Sequence, residues 1–265
     1  MDRHRRLEVP SRYSGTIPAG GSHLERYARR LNAAEINSSF HRPHRRKTYE
    51  RWARCTPANF RFSVKVPKTM THEARLASCG AWLDRFVAEV TGLGDKLGAL
   101  LVQLPPKFAF DEDVSDRFLR GLRARIGTPV AFEPRHASRF ASGVDDWLAK
   151  RRVARAATYP ALVAGADKPG GWSGLTYYRW HGSPRIYFSD YDAAALGALR
   201  QSLDQSRGGR VPTWCIFDNT ASGAALGNAL ALPNDCFVNV GRPRKLRDLP
   251  LAPLQIPRHL MKYAP

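Results

Sequence analysis

At 265 residues, with 43% hydrophobic content, six Trp and twelve Phe, the chain has the apolar mass of a packed globule, and its length suits one large domain, as in α/β barrels. No apolar run approaches the ~18 residues a membrane span needs, and the basic start MDRHRRLEVPSRYSG has no apolar segment behind it, so neither a membrane protein nor a secretory leader is expected. The formal charge of +19 suits a polyanionic partner or an Arg-rich solubilising surface, while Cys55, Cys79, Cys215 and Cys236 form no C-x-x-C pair and suit buried thiols in a reducing cytoplasm.

In chain order, Ser22 opens S-x-x-E with Glu25, a capping box that predicts a helix to about Leu31, and AEIN follows as a strand. Thr48 is placed to cap a short helix over TYERWAR. FRFSVKV reads as a strand, LDRFVAEVTGLG has helical spacing, and ALLVQL is a strand ended by Pro105 and Pro106. A helix over 114–126, strand PVAFE, a helix over 144–150, and strands VARAA and LTYYRWHG come next. A helix over 193–203, strand TWCIFDN and a helix over 221–232 complete seven strands. Strands alternating with helices imply right-handed crossovers and a parallel sheet covered on both faces, which explains the nearly all-apolar ALLVQL. No glycine-rich fingerprint follows the first strand and no phosphate-binding G-x-x-x-x-G-K-[ST] occurs, so a TIM-type α/β barrel is expected rather than an open nucleotide-binding sheet.

The strand ends carry the chemistry. Glu35 and Asn37 end the first strand, Ser63 and Lys65 the second, and Gln103 the third. Glu133, Arg135 and His136 end the fourth, Arg179 and His181 the sixth, and Asp218 and Asn219 the seventh. Polar groups repeated at strand ends describe a rim, because the carboxyl ends of barrel strands meet at one mouth. Glu133 and His181 are the expected acid and base. Lys65, Arg135 and Arg179 offer positive charge to an anionic ligand, or else pair internally with Glu35 and Glu133. Ser63 and Gln103 suit an interior hydrogen-bond network. Glu35, Glu133, Asp218, His72, His136 and His181 include metal-ligand types, but no compact spacing such as H-x-H or H-E-x-x-H supports a metal.

The segments AEINSSFHRP, RWARCTPANFRFSVKVPKTMTHEARL, LGDKLGALLVQLPPKFAFD, VAFEPRHASRF, YYRWHGSPRIYFSDY and IFDNTASGAALGNA resemble, in order, the YecE-like family, a domain of unknown function numbered 72, over residues 24–232. The resemblance implies a TIM-type barrel and names neither a reaction nor a cofactor. Its signature polar positions fall on Glu35, Asn37, Lys65, Thr71, His72, Gln103, Glu133, Arg135, His136, Arg179, His181, Gly182 and Asn219. Three departures stand out. MDRHRRLEV replaces a first-strand motif like IGTSGW, Thr158-Tyr159-Pro160 stands where an Asp is usual, and Arg139 replaces a Trp.

Two functions follow as expectations. One is an acid/base enzyme, perhaps hydrolytic, on a phosphorylated or other anionic small molecule. Glu133 and His181 would be catalytic, with Glu35, Asn37, Lys65, His72, Gln103, Arg135, His136, Arg179 and Asn219 binding substrate. The other is a nucleic-acid-binding protein whose basic mouth tracks phosphates while Tyr177, Tyr187 or Trp172 stacks bases. The barrel domain is expected over 1–232, with a basic, Pro-rich tail over 233–265. The family's first strand is missing or replaced. LEV at 7–9 or CFVNV at 236–240 would fill the gap, or the seven strands stay open.

Overall fold

The computed structural model describes residues 15–207 and 211–232. The seven expected strands are present: β1 (Ala33–Ile36), β2 (Arg61–Lys65), β3 (Leu97–Gln103), β4 (Val130–Glu133), the pair β5 (Val153–Arg155) and β6 (Ala157–Tyr159) in one extended segment, β8 (Thr176–Trp180) and β9 (Thr213–Phe217). A two-residue strand, β7 (Gly170–Gly171), has no counterpart in the sequence reading. β1 to β5 pair in parallel in chain order, and β6, β8 and β9 continue in parallel. The break between β5 and β6 is a change of neighbour. Val153–Arg155 pair with β4 and, antiparallel, with β7, whereas Ala157–Tyr159 pair with β8.

Helices α1 (His23–Ala28), α2 (Ser38–His41), α3 (Arg46–Arg54), α4 (Gly80–Val90), α5 (Glu112–Arg123), α6 (Val144–Lys150), α7 (Ala193–Arg207) and α8 (Ala224–Ala231) connect them. The Ser22–Glu25 capping box forms as expected, although α1 stops at Ala28. Thr48 is not a cap. α3 starts two residues earlier with Arg45 at its N-cap, and Thr48 lies inside the first turn. The short α2 and a π-helical turn at Thr69–Glu73 were not signalled, because neither is long enough to show a hydrophobic period.

Strand alternation separates an outer core from an inner one. Outward residues such as Phe62, Val64, Leu100, Val102, Val130 and Phe132 pack beneath α3 to α6, and Tyr178, Trp180, Cys215 and Phe217 pack with α7 and α8. Inward residues make a separate cluster of Ala33, Ala99, Leu101, Ala131, Ala154, Ala156, Leu175, Tyr177 and Trp214. Small side chains from the first half face two large rings from the second, so the sheet is curled around a filled interior in the manner of a barrel. β1 and β9 do not pair with each other among the described residues. Their carboxyl ends are linked by Asn37 Nδ2 donating to Asp218 Oδ1 at 3.2 Å. The segments LEV and CFVNV, and the tail 233–265, lie outside the described residues.

Candidate active site at the barrel mouth

The alternation that points Tyr177 inward points Arg179 inward one layer higher, and the same parity brings Glu35, Lys65, Gln103, Glu133 and Asp218 to the carboxyl ends of β1, β2, β3, β4 and β9. Arg179 is fully buried. Its Nε and Nη2 bind the two Glu35 oxygens side-on at 3.0 and 2.7 Å, its Nη1 meets Glu133 Oε2 at 2.6 Å, and Nη2 also reaches Asp218 Oδ2 at 3.2 Å. Three strands distant in sequence are thereby held by one planar fork, a geometry that lysine cannot reproduce.

Glu133 is equally occupied. Its Oε1 accepts from Gln103 Nε2 at 2.7 Å and from Arg135 Nε and Nη2 at 3.1 and 3.0 Å. Burial pushes its pKa up, but Arg179, His181 and Arg135 outweigh that effect and hold the carboxyl well below the usual range. Asp218 is depressed for the same reason, with burial overcome by Arg179 and His181. At Glu35, Tyr177 Oη lies 2.7 Å from both Glu35 Oε2 and Ser63 Oγ. A phenol has one proton, so it donates to the carboxylate and accepts from the serine.

His181 stands apart from this saturated network. Its Nδ1 is 3.3 Å from Asp218 Oδ2. Its buried Nε2 has no hydrogen bond among the described residues, the nearest ion-pair contact being Glu133 Oε1 at 3.5 Å. Burial lowers its pKa, and the contacts to Asp218 and Glu133 more than reverse that, leaving it above the ordinary 6.5. The ring borders a cavity of about 30 Å³ lined by Glu133, Arg135, Thr158, Leu162, His181 and Tyr187 among others. That volume holds a water or two, or the reacting group of a substrate, and not a whole ligand.

Of the remaining expected residues, Asn37 reaches the cluster through Asp218, and His72 borders it through Phe40, ring centroids 4.9 Å apart. His72 Nδ1 is taken by Thr71 Oγ1 at 2.9 Å, and burial, with help from Lys65 and Arg135, pushes its pKa down to about 4. His136 and Asn219 are not drawn in. His136 caps the turn at Ala137–Phe140 by accepting from Ser138 N, and Asn219 ties the Ser189 carbonyl to Asn228. Tyr177, expected as an exposed stacking ring, is fully buried inside the barrel, and only Tyr187 and Trp172 keep partial exposure. Arg139, expected from the resemblance to stand in place of a Trp, has a packing role. It is buried over the Phe108 ring and donates to the Phe108 and Ala109 carbonyls.

Asp218 was legible as a strand-end carboxylate but its pairing with His181 was not, and Tyr177 could have been found from its inward parity with Arg179. Among the described residues no three His, Cys, Asp or Glu side chains are grouped to hold a metal, and none of the helices is long and apolar enough to cross a membrane.

Comparison with known proteins agrees with this architecture. The chain is 31% identical over 136 residues to the UPF0759 protein YecE of Escherichia coli, covering 51% of this chain and 49% of that relative, so it spans about half the length of the curated proteins it matches. A DUF72 family protein from Thermotoga maritima superposes with a TM-score of 0.65 at 22% identity, over 76% of this chain and 82% of that one. Another from Enterococcus faecalis gives 0.67 at 20% identity, over 82% and 92%. At such identities the likeness concerns the fold, which is TIM-barrel-like. The model of the family described as "Protein of unknown function DUF72" matches residues 5–247, a wider span than the quoted motifs cover, and the chain therefore belongs to the DUF72 family.

Proposed function

We propose that the barrel mouth is an active site for acid/base chemistry on a small anionic substrate, with His181 as the proton-transferring group. One observation carries the reading: a buried histidine held at Nδ1 by a carboxylate, with Nε2 no closer than 3.5 Å to Glu133 Oε1 and at the edge of a cavity. Every other charged group near it, Lys65 excepted, is engaged. Asp218 orients the ring and favours its protonated form. Glu133, fixed by Gln103, Arg135 and Arg179, stays ionised and supplies field rather than protons, a narrower part than that of catalytic acid or base. Arg135 is the permanent cation facing the cavity, and it recognises a phosphate or carboxylate.

The test is turnover across panels of phosphorylated and carboxylated small molecules. Activity on one class is expected, falling about 100-fold or more in His181→Ala, the usual range for losing a general acid. The rate should decline as pH rises through the elevated His181 pKa, above 6.5, because the acid form is lost there. A wild-type protein inert on all panels, yet binding unrelated nucleic acids with a steep salt dependence, would overturn this reading in favour of polyanion binding.

A further inference from the structure

Among the described residues, Lys65 is the one cation of the mouth that the ion-pair network leaves out. It ends β2, is 7% exposed, and its Nζ sits 4.0 Å from the centroid of the Phe40 ring. Among the described residues it has no carboxylate oxygen within the 4.0 Å of an ion pair and no hydrogen bond to Nζ. The carboxylates it would pair with are held by others. Glu35 and Glu133 are held by Arg179 and Arg135, and Asp218 is within ion-pair distance of Arg179 and His181. A lysine kept for neutralisation alone would face one of these carboxylates directly, since burying an unpaired ammonium is expensive.

The charged groups that act on it are Glu35 on β1, Glu133 at the end of β4, Arg179 on β8 and Asp218 beyond β9, with His72 on the π-helical turn. Burial and Arg179 push the Lys65 pKa down to about 8, against the opposing pull of Glu133, Glu35 and Asp218. At pH 7 that leaves about one amine in ten unprotonated, against about one in 3,000 for an ordinary lysine. Desolvation beside another cation is the environment that turns lysine into a nucleophile.

We propose that Lys65 is a covalent carbonyl-binding group: its Nζ adds to an aldehyde or ketone of an anionic substrate and forms a Schiff base. The ammonium first releases a proton to solvent, and the nitrogen lone pair then attacks the carbonyl carbon while the C=O π pair moves to oxygen. A proton passes from nitrogen to that oxygen, giving a carbinolamine. A second proton, drawn from solvent, lets the oxygen leave as water while nitrogen forms the C=N bond. Ammonium and carbonyl thus become iminium and water with no net change in charge. The inference rests on the acid/base reading of the same mouth and adds its substrate class.

The experiment treats the full chain with glyoxylate or pyruvate, small anionic carbonyl compounds, and then sodium borohydride, followed by intact-mass and peptide mapping. A single reduced adduct on Lys65 is expected, absent in Lys65→Arg and Lys65→Met. Its yield should rise with pH through a midpoint near 8. In His181→Ala the adduct should still form. Circular dichroism establishes that each variant is folded. No adduct, or adducts spread over exposed lysines and unchanged in Lys65→Arg, overturns the proposal. Turnover that depends on His181 in a protein that yields no adduct would remove the Schiff base and leave the acid/base reading standing.

Discussion

Arg179 and Lys65 both end strands as inward-pointing cations, yet the structure treats them oppositely. Arg179 takes oxygens from three carboxylates, one of them 144 residues away in sequence. Lys65 takes none. Their position at the rim was legible from strand parity, whereas the allocation of partners was not, because it depends on reach and fork geometry across the closed interior. The allocation has a stability consequence. A lysine whose pKa falls from 10.5 to about 8 on folding binds more protons in the unfolded chain between those values. It therefore weighs against folding below pH 8, and the penalty disappears as pH rises towards 10.5. Lys65→Met should raise unfolding free energy by about 3 kcal/mol at pH 7, the worth of that shift at ~1.4 kcal/mol per unit. The gain should shrink steadily from pH 8 to 10.5. Urea unfolding at several pH values measures it, and a pH-independent difference would mean that the methionine merely packs better.

Elements with a clear period were readable to within a few residues: α6 over Val144–Lys150, α5 shifted by two or three, and every long strand. The missed ones are short and owe their shape to tertiary contacts. The β7 strap is the best case. Its two glycines pair antiparallel with Ala154 and Arg155 of β5, whereas β8 pairs with β6. Gly171 has φ +67°, and a Cβ there would stand 2.6 Å from the Val153 carbonyl oxygen and 3.1 Å from Leu148 Cβ. Both the backbone sign and the close approach demand glycine. The strap also runs beside the Arg155–Asp145 pair, where Nε and Nη2 meet the carboxylate at 2.7 and 2.8 Å. Gly171→Ala should therefore destabilise by about 1–3 kcal/mol, the range for a residue forced into a sparsely populated region. Hydrogen exchange should show the loss first in the Val153–Arg155 amides, and a variant as protected there as wild type would mean the strap is not a structural strand.

The barrel as a whole works by matching small residues to large ones across its interior. Sequence alternation shows which residues face inward, and even the run of alanines on β1, β3, β4 and β5 is visible. That these alanines make room for Tyr177 and Trp214 is a property of closure, which alternation alone does not contain. Closure between β9 and β1 was sought in LEV or CFVNV, both outside the described residues. What the described residues supply is contact across the inside. Trp214 stacks on Tyr177, centroids 5.9 Å apart and planes at 15°, and its far edge covers Gly98, where a Cβ would meet Cζ2 at 2.6 Å and Cη2 at 3.2 Å. Tyr177 in turn holds Glu35, and Glu35 holds Arg179. Adding one methyl at Gly98 should push the indole towards Tyr177 and so reach the mouth. Gly98→Ala is expected to lose about 1–3 kcal/mol, the usual effect of overpacking, while Trp214→Phe loses stability by leaving a void. Together the two changes should lose less than their sum, by about 1 kcal/mol within the 0.5–3 range of contacting pairs, because the smaller ring vacates the space the new methyl occupies. A double-mutant cycle in urea measures this coupling, and simple additivity would show that β3 and β9 do not meet inside the barrel.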